Sequence, residues 1–121
     1  MTQATAIEIK AFVPARDFAL SRRFYSALGF QECWASDDLA YFTYGTCSFL
    51  LQRFYVAEHA DNFMMHLLVD NADAWWQQVE PIAAEFGLRT VPPQDQPWGM
   101  RDFVVIDPTG VLWRIGQNLP A

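Results

Sequence analysis

Lysine is almost missing from this chain. Lys10 is the only one, and eight basic residues face fourteen acidic ones for a formal net charge of −6. A nucleic-acid partner requires a basic face, so none is expected. The acidic balance suits a cationic ligand, because focused negative potential raises its encounter rate. Cysteine is equally scarce, with only Cys33 and Cys47. Neither belongs to a C-x-x-C pair, which weakens metal and redox readings, and two buried, reduced thiols are the expected state. No run has the apolar length of a membrane span, no Gly-rich phosphate loop occurs, and no charged stretch leading into an apolar one opens the chain. A cytoplasmic protein without a membrane partner is therefore expected. No Ser/His/Asp or Cys/His arrangement can be placed either.

What is abundant is apolar and aromatic. The 121 residues are 52% hydrophobic and 16% aromatic, with five tryptophans. That length predicts one domain, residues 1–121, with a sizeable core. Flat rings fill cores, and they also line cavities that stack planar ligands.

In chain order, residues 1–6 read as a loose arm and Ile7–Val13 as a strand closed by Pro14. Asp17 is a candidate N-cap for a helix over Phe18–Leu28, with Leu20, Phe24 and Leu28 on its inner face and Gly29 as its stop. Strands follow at Phe30–Ala35, Ala40–Tyr44 and Cys47–Gln52. Arg53–Asn62 lacks periodicity and reads as a linker. Phe63–Val69 is strand-like. Asn71 caps a helix over Ala72–Phe86 that buries Trp75, Val79, Ala83 and Phe86, with Pro81 predicting a kink or two short segments. A short strand at Arg89–Val91 and a loop over Pro92–Pro97 lead to a hairpin, Met100–Ile106 and Val111–Ile115. Its turn is Asp107-Pro108-Thr109-Gly110, with Asp, Pro and Gly at the positions such turns favour. Trp98, beside Gly99, belongs either to a plain hairpin core or to a ligand-facing loop.

The two halves repeat one order: strand, helix, strands. Adding 56 takes Lys10 to His66, Val13 to Val69 and Asp17 to Asp73. This is the pattern of a duplicated βαβββ module, over about 7–52 and 63–116. The expected fold is α+β: two such modules forming a curved mixed sheet around a cleft, with the helices outside.

Several words of the sequence resemble one family. Val13-Pro14-Ala15-Arg16-Asp17, Phe24-Tyr25, Leu28-Gly29-Phe30 and Asp107-Pro108-Thr109-Gly110 are similar, in order, to the vicinal-oxygen-chelate (glyoxalase/bleomycin resistance/dioxygenase) superfamily. Gln96-Pro97-Trp98-Gly99 and Leu112-Trp113-Arg114-Ile115-Gly116-Gln117-Asn118 resemble the bleomycin resistance (bleomycin-binding) proteins within it. The resemblance implies a homodimer, often with exchanged first strands, for which Pro14 stands at the hinge. It also places the superfamily's metal ligands at Lys10, His66 and Arg114. Lysine and arginine offer no lone pair at neutral pH, so no metal, no cofactor and no metal-dependent catalysis are expected, and no catalytic residue is assigned. His66 alone is more simply a hydrogen-bonded cavity residue than a ligand.

By the same resemblance, Trp34 and Trp98 clamp the planar part of a bleomycin-type antibiotic. Strand parity adds Phe12, His66, Leu112 and Arg114 to the cavity and sends Trp113 to the helix side. Asp37, Asp38 and Asp61 are the acidic residues offered to a cationic ligand, although turn aspartates are usually just solvated. Lys10 and Arg114 in the same interior argue for an anion, or for an internal ion pair with Glu8 or Glu32. The expected function is thus sequestration of a planar cationic antibiotic, giving resistance. The alternatives are an atypical enzyme of the same fold and a binder of an unrelated hydrophobic or anionic metabolite.

Overall fold

The computed structural model describes residues 3–121. Positions 1 and 2 of the expected arm lie outside these residues, and 3–6 are exposed and belong to no element. The first module contains β1 (Phe12–Pro14), α1 (Phe18–Leu28), β2 (Gln31–Ala35), β3 (Leu39–Tyr44) and β4 (Cys47–Gln52). Asp17 caps α1 by accepting the Leu20 N–H at 3.1 Å. Gly29 ends it at φ 108°, a left-handed conformation that a side chain would strain. Phe18, Ser21, Phe24, Tyr25 and Leu28 are buried, so the inner stripe runs one step aside of the expected one and leaves Leu20 at its margin.

The segment expected as a linker contains a short helix, α2 (Ala57–Asp61), with Ala60 buried. The second module follows as β5 (Met64–Leu68), α3 (Ala72–Glu85), β6 (Thr90–Asp95), β7 (Met100–Ile106) and β8 (Leu112–Asn118). Asn71 caps α3 through the Ala74 N–H at 3.0 Å. Pro81 lies inside α3 without dividing it into two segments. Pro92 and Pro93, expected in a loop, sit within β6, where the register slips between Val91 and Gln94. β6 is an edge strand, and that is where a proline's missing N–H is tolerated.

The expected curved sheet comes as two four-stranded sheets, ordered β1-β4-β3-β2 and β5-β8-β7-β6. Both are mixed: β1 runs parallel to β4 and β5 parallel to β8, and the other pairs are antiparallel. Alternate residues of the strands point into one continuous core, including Val13, Phe42, Phe49 and Leu51 from the first sheet and Phe103, Val105, Trp113 and Ile115 from the second. The opposite face of each sheet is open.

A buried polar network ties the modules together. Tyr25 donates to Asp107 at 2.5 Å and accepts from the Trp113 indole at 2.8 Å. Asp107 also receives the backbone N–H groups of Thr109, Gly110 and Val111, each at 2.9 Å, which fixes the β7–β8 turn. Burial pushes the Asp107 carboxyl above its ordinary range against these hydrogen bonds, and burial pushes the Tyr25 hydroxyl well up.

Two expectations fail on accessibility. Cys33 and Cys47 are free as expected, but both are exposed, because they occupy an edge strand and a strand end. The expected Ile7–Val13 strand contracts to Phe12–Pro14. The last backbone bond to β4 on this side joins Leu50 N–H to Ala11 O at 3.0 Å, and residues upstream leave the sheet. Val13 is 0% exposed, whereas Ile9 and Ile7 on the same alternation are 95% and 93% exposed.

Candidate functional site

Strand alternation sorts the candidate residues onto the two open faces. On the first sheet, Phe12 stands opposite Leu50, Leu50 opposite Tyr41, and Tyr41 opposite Trp34. The Trp34 and Tyr41 rings lie 6.4 Å apart, and Trp34 is 50% exposed. Glu8 reaches across this face. Its carboxylate accepts from Ser48 at 2.5 Å, Lys10 at 2.8 Å and Tyr41 at 3.0 Å. These bonds, that from Lys10 first, hold the Glu8 carboxyl down at about 2.

On the second sheet, the open face carries Met64, His66 and Leu68 from β5, Leu112 and Arg114 from β8, and Asp102, Val104 and Ile106 from β7. Trp98 projects from the loop between β6 and β7 and is 57% exposed. The Arg114 guanidinium lies 5.6 Å from its ring centre, a cation–π contact. Trp98 is therefore no core residue, while Trp113, on the helix side as parity predicts, is buried.

The residue that organises this second face escaped the sequence reading. Asp102 is only 2% exposed and takes Arg114 Nη1 on both carboxylate oxygens, at 3.1 and 3.0 Å. It also accepts Gln96 Nε2 at 3.0 Å. One carboxylate thus anchors the loop that carries Trp98 and the cation that underlies its ring. Gly116 makes room for it, since a Cβ there would stand 2.9 Å from the Asp102 Cβ. The hairpin register contained the signal: Asp102 pairs with Gly116 and Val104 with Arg114, so Asp102 and Arg114 share a face.

The remaining candidates scatter. Asp38 pairs with Arg53 at 3.4 Å, and the Asp37 carbonyl accepts from the same guanidinium at 2.7 Å. With Leu39, Gln52 and Phe54, Asp38 and Arg53 line a shallow cavity at the end of the first open face. Asp61 lies against the β7–β8 turn, its carboxylate over Gly110. His66 is exposed rather than buried; it stands opposite Arg114 in the sheet, and its imidazole has no hydrogen bond among the described residues. No hydrogen bond, ion pair or ring contact between described residues joins the Trp34 face to the Trp98 face.

The donor set does not fit a metal. Lys10 is committed to Glu8 and Arg114 to Asp102, which leaves only His66 with a lone pair among the three positions. Among the described residues no three His, Cys, Asp or Glu side chains cluster to hold an ion. No helix among them is long and apolar enough to cross a membrane.

The family model described as the Glyoxalase/Bleomycin resistance protein/Dioxygenase superfamily matches residues 8–115. The chain belongs to that superfamily. Solved structures share the superfamily fold with it. A bleomycin-binding protein complexed with bleomycin aligns at TM-score 0.79 and 24% identity, over 92% of this chain and 98% of its own. The bleomycin-binding protein of Streptomyces verticillus, complexed with copper(II)-bleomycin, aligns at TM-score 0.78 and 22% identity, over 98% and 100%. A lactoylglutathione lyase from Agrobacterium tumefaciens aligns at TM-score 0.69 and 14% identity, over 94% and 95%. The superfamily fold thus occurs in binding proteins and in an enzyme. No functionally curated sequence matches the chain.

Proposed function

We propose that this superfamily member, one two-module domain, binds a bleomycin-type or similarly planar, cationic antibiotic in the cytoplasm and sequesters it without turnover, giving resistance. The observation that carries this reading is Trp98, half-exposed on a loop that Asp102 and Gln96 hold in place. A ring fixed before binding loses little freedom when a planar group stacks on it. The net charge of −6 draws in a cation. Trp34 supplies the second ring, with Phe12, Leu112, His66 and Arg114 along the walls and Asp37, Asp38 and Asp61 contributing negative potential.

Because Trp34 and Trp98 stand on separate open faces, a clamp on one ligand pairs the first face of one copy with the second face of another. The proposed assembly is therefore a homodimer, in which the arm carrying Ile7 and Ile9 leaves its own β4 to cover apolar surface on the partner, with Pro14 at the hinge. Calorimetric titration with bleomycin tests the function. Trp98→Ala is expected to weaken binding by about 1–3 kcal/mol, roughly one to two decades. Unchanged binding in this variant, or none in the parent protein, rejects the clamp. Sedimentation at micromolar concentration tests the assembly: a dimer is expected, and Ile7→Ser/Ile9→Ser is expected to weaken it.

A further inference from the structure

The second open face holds a trough that shares Leu112 and Arg114 with the antibiotic reading and extends beyond it to Arg89 and Val91. Val91, Val104, Ile106 and Leu112 floor it, Arg89 and Arg114 stand along it, and its volume is about 370 Å³. The two arginines are not equivalent. Arg114 is paired with Asp102 through Nη1. Arg89, exposed, forms no ion pair and no side-chain hydrogen bond among the described residues; only its carbonyl is engaged, by the Ile106 N–H at 3.0 Å. In a chain with fourteen acidic residues to eight basic ones, that leaves a guanidinium fork without a carboxylate beside an apolar floor.

We infer that this trough binds a small organic acid: an apolar, flat or short-chain body ending in one carboxylate, which Arg89 receives. Burying the body on the four aliphatic side chains supplies the driving force. The planar fork matches a carboxylate with two parallel hydrogen bonds and sets the orientation. The combination of an apolar lining with one charged group is that of a small-molecule site. Asp102 offsets the Arg114 charge, so Arg89 is the cation of the trough that no carboxylate compensates. The inference rests on the open face being the ligand face, and not on the antibiotic.

The test titrates the full chain with three isosteric probes: 2-naphthoate, 2-naphthalenemethanol and 2-naphthylmethylammonium. Naphthoate is expected to bind about tenfold more tightly than the alcohol, the factor for one charge-assisted contact, and the ammonium most weakly. Arg89→Gln is expected to remove the preference for naphthoate without altering the alcohol, and Arg89→Lys, which keeps the charge but not the fork, to retain only part of it. Amide shifts upon naphthoate addition are expected at Val91 and Val104. Equal binding of acid and alcohol, an unchanged preference in Arg89→Gln, or shifts confined to other strands overturns the assignment. Bleomycin binding, measured on the same protein, separates the two readings. Its absence alongside an Arg89-dependent naphthoate site rejects only the antibiotic, and its presence without that preference rejects only the trough.

Discussion

The two modules share one plan and differ in their first strands. β5 pairs with β8 along all five of its residues, Met64–Leu68. By the offset of 56, residues 8–12 are its counterpart, yet β1 pairs with β4 only over Phe12–Pro14. The polar anchors differ in the same sense. The second sheet is held by Asp102, a buried carboxylate shared between Arg114 and Gln96, and the first by Glu8, an exposed carboxylate at the end of a segment that has left the sheet. Of two units built on the same plan, one keeps its leading strand in the sheet and the other releases most of it. The alternating isoleucines Ile7 and Ile9 remain in the released segment, so a lack of strand propensity does not account for the difference.

The largest effect that sharpens this comparison is expected in the shared core. Trp113→Ala is predicted to cost about 3–5 kcal/mol, because it empties a buried site and leaves Tyr25 without its indole donor. Trp98→Ala is predicted to stay within roughly 0.5 kcal/mol in the absence of ligand, as exposed substitutions do. Urea denaturation measures both, and the reverse order would show that the two faces were exchanged. Next comes Asp102→Asn, expected to cost about 1–3 kcal/mol by weakening a buried, charge-assisted network. It is also expected to make Trp98 more accessible to acrylamide quenching, with Trp98→Phe as the reference for that signal. Lost stability without a change in quenching would reduce Asp102 to a purely structural role.

Acid is expected to act on the two modules with opposite sign. The Glu8 carboxyl falls from 4.5 to about 2 in the folded chain, so its contribution is complete above 4.5 and is lost as the pH drops toward 2. The Asp107 carboxyl is raised above 3.8 in the folded chain, so its contribution is greatest in acid and declines as the pH climbs past 3.8. Between those limits the contacts of the arm are expected to loosen while the β7–β8 turn holds. Side-chain carboxyl NMR titration of Glu8 and Asp107 reads the two directions separately. The smallest expected effect is that of chelation: EDTA should change neither Tm nor bleomycin binding. A loss restored by one particular metal would show that His66 has partners elsewhere.

Most of the fold was legible because its signals are local. Asp17 and Asn71 announce their helices, Gly29 ends one, and the Asp107 turn sets the register of the last hairpin. What was missed depends on neighbours distant in sequence. Nothing in Pro92-Pro93 reveals that the strand they interrupt lies at an edge, and nothing in Ile7–Lys10 reveals that its place beside β4 is left open. Ala57–Asp61 is too short to show a helical period. At the site, parity put Phe12, Leu112 and Arg114 in one cavity, whereas Phe12 lies on the first open face and Leu112 and Arg114 on the second; it sent Trp113 to the helix side, where the ring is buried. Asp102 was overlooked because an acidic residue within an apolar strand acquires meaning only once Arg114 and Gln96 have been brought beside it.

The prolines of β6 have a consequence for behaviour in concentrated solution. A strand at the margin of a sheet is a template on which another molecule's strand can grow, and repeated growth yields fibres. Pro92 and Pro93 offer no N–H along that margin, and the slip beside them breaks the spacing a newcomer would need. The far margin of the other sheet, β2, is interrupted too, by a shift between Glu32 and Trp34. Replacing Pro92 and Pro93 with valines would restore a regular, donor-bearing margin, and thioflavin-positive polymer would then be the expected product.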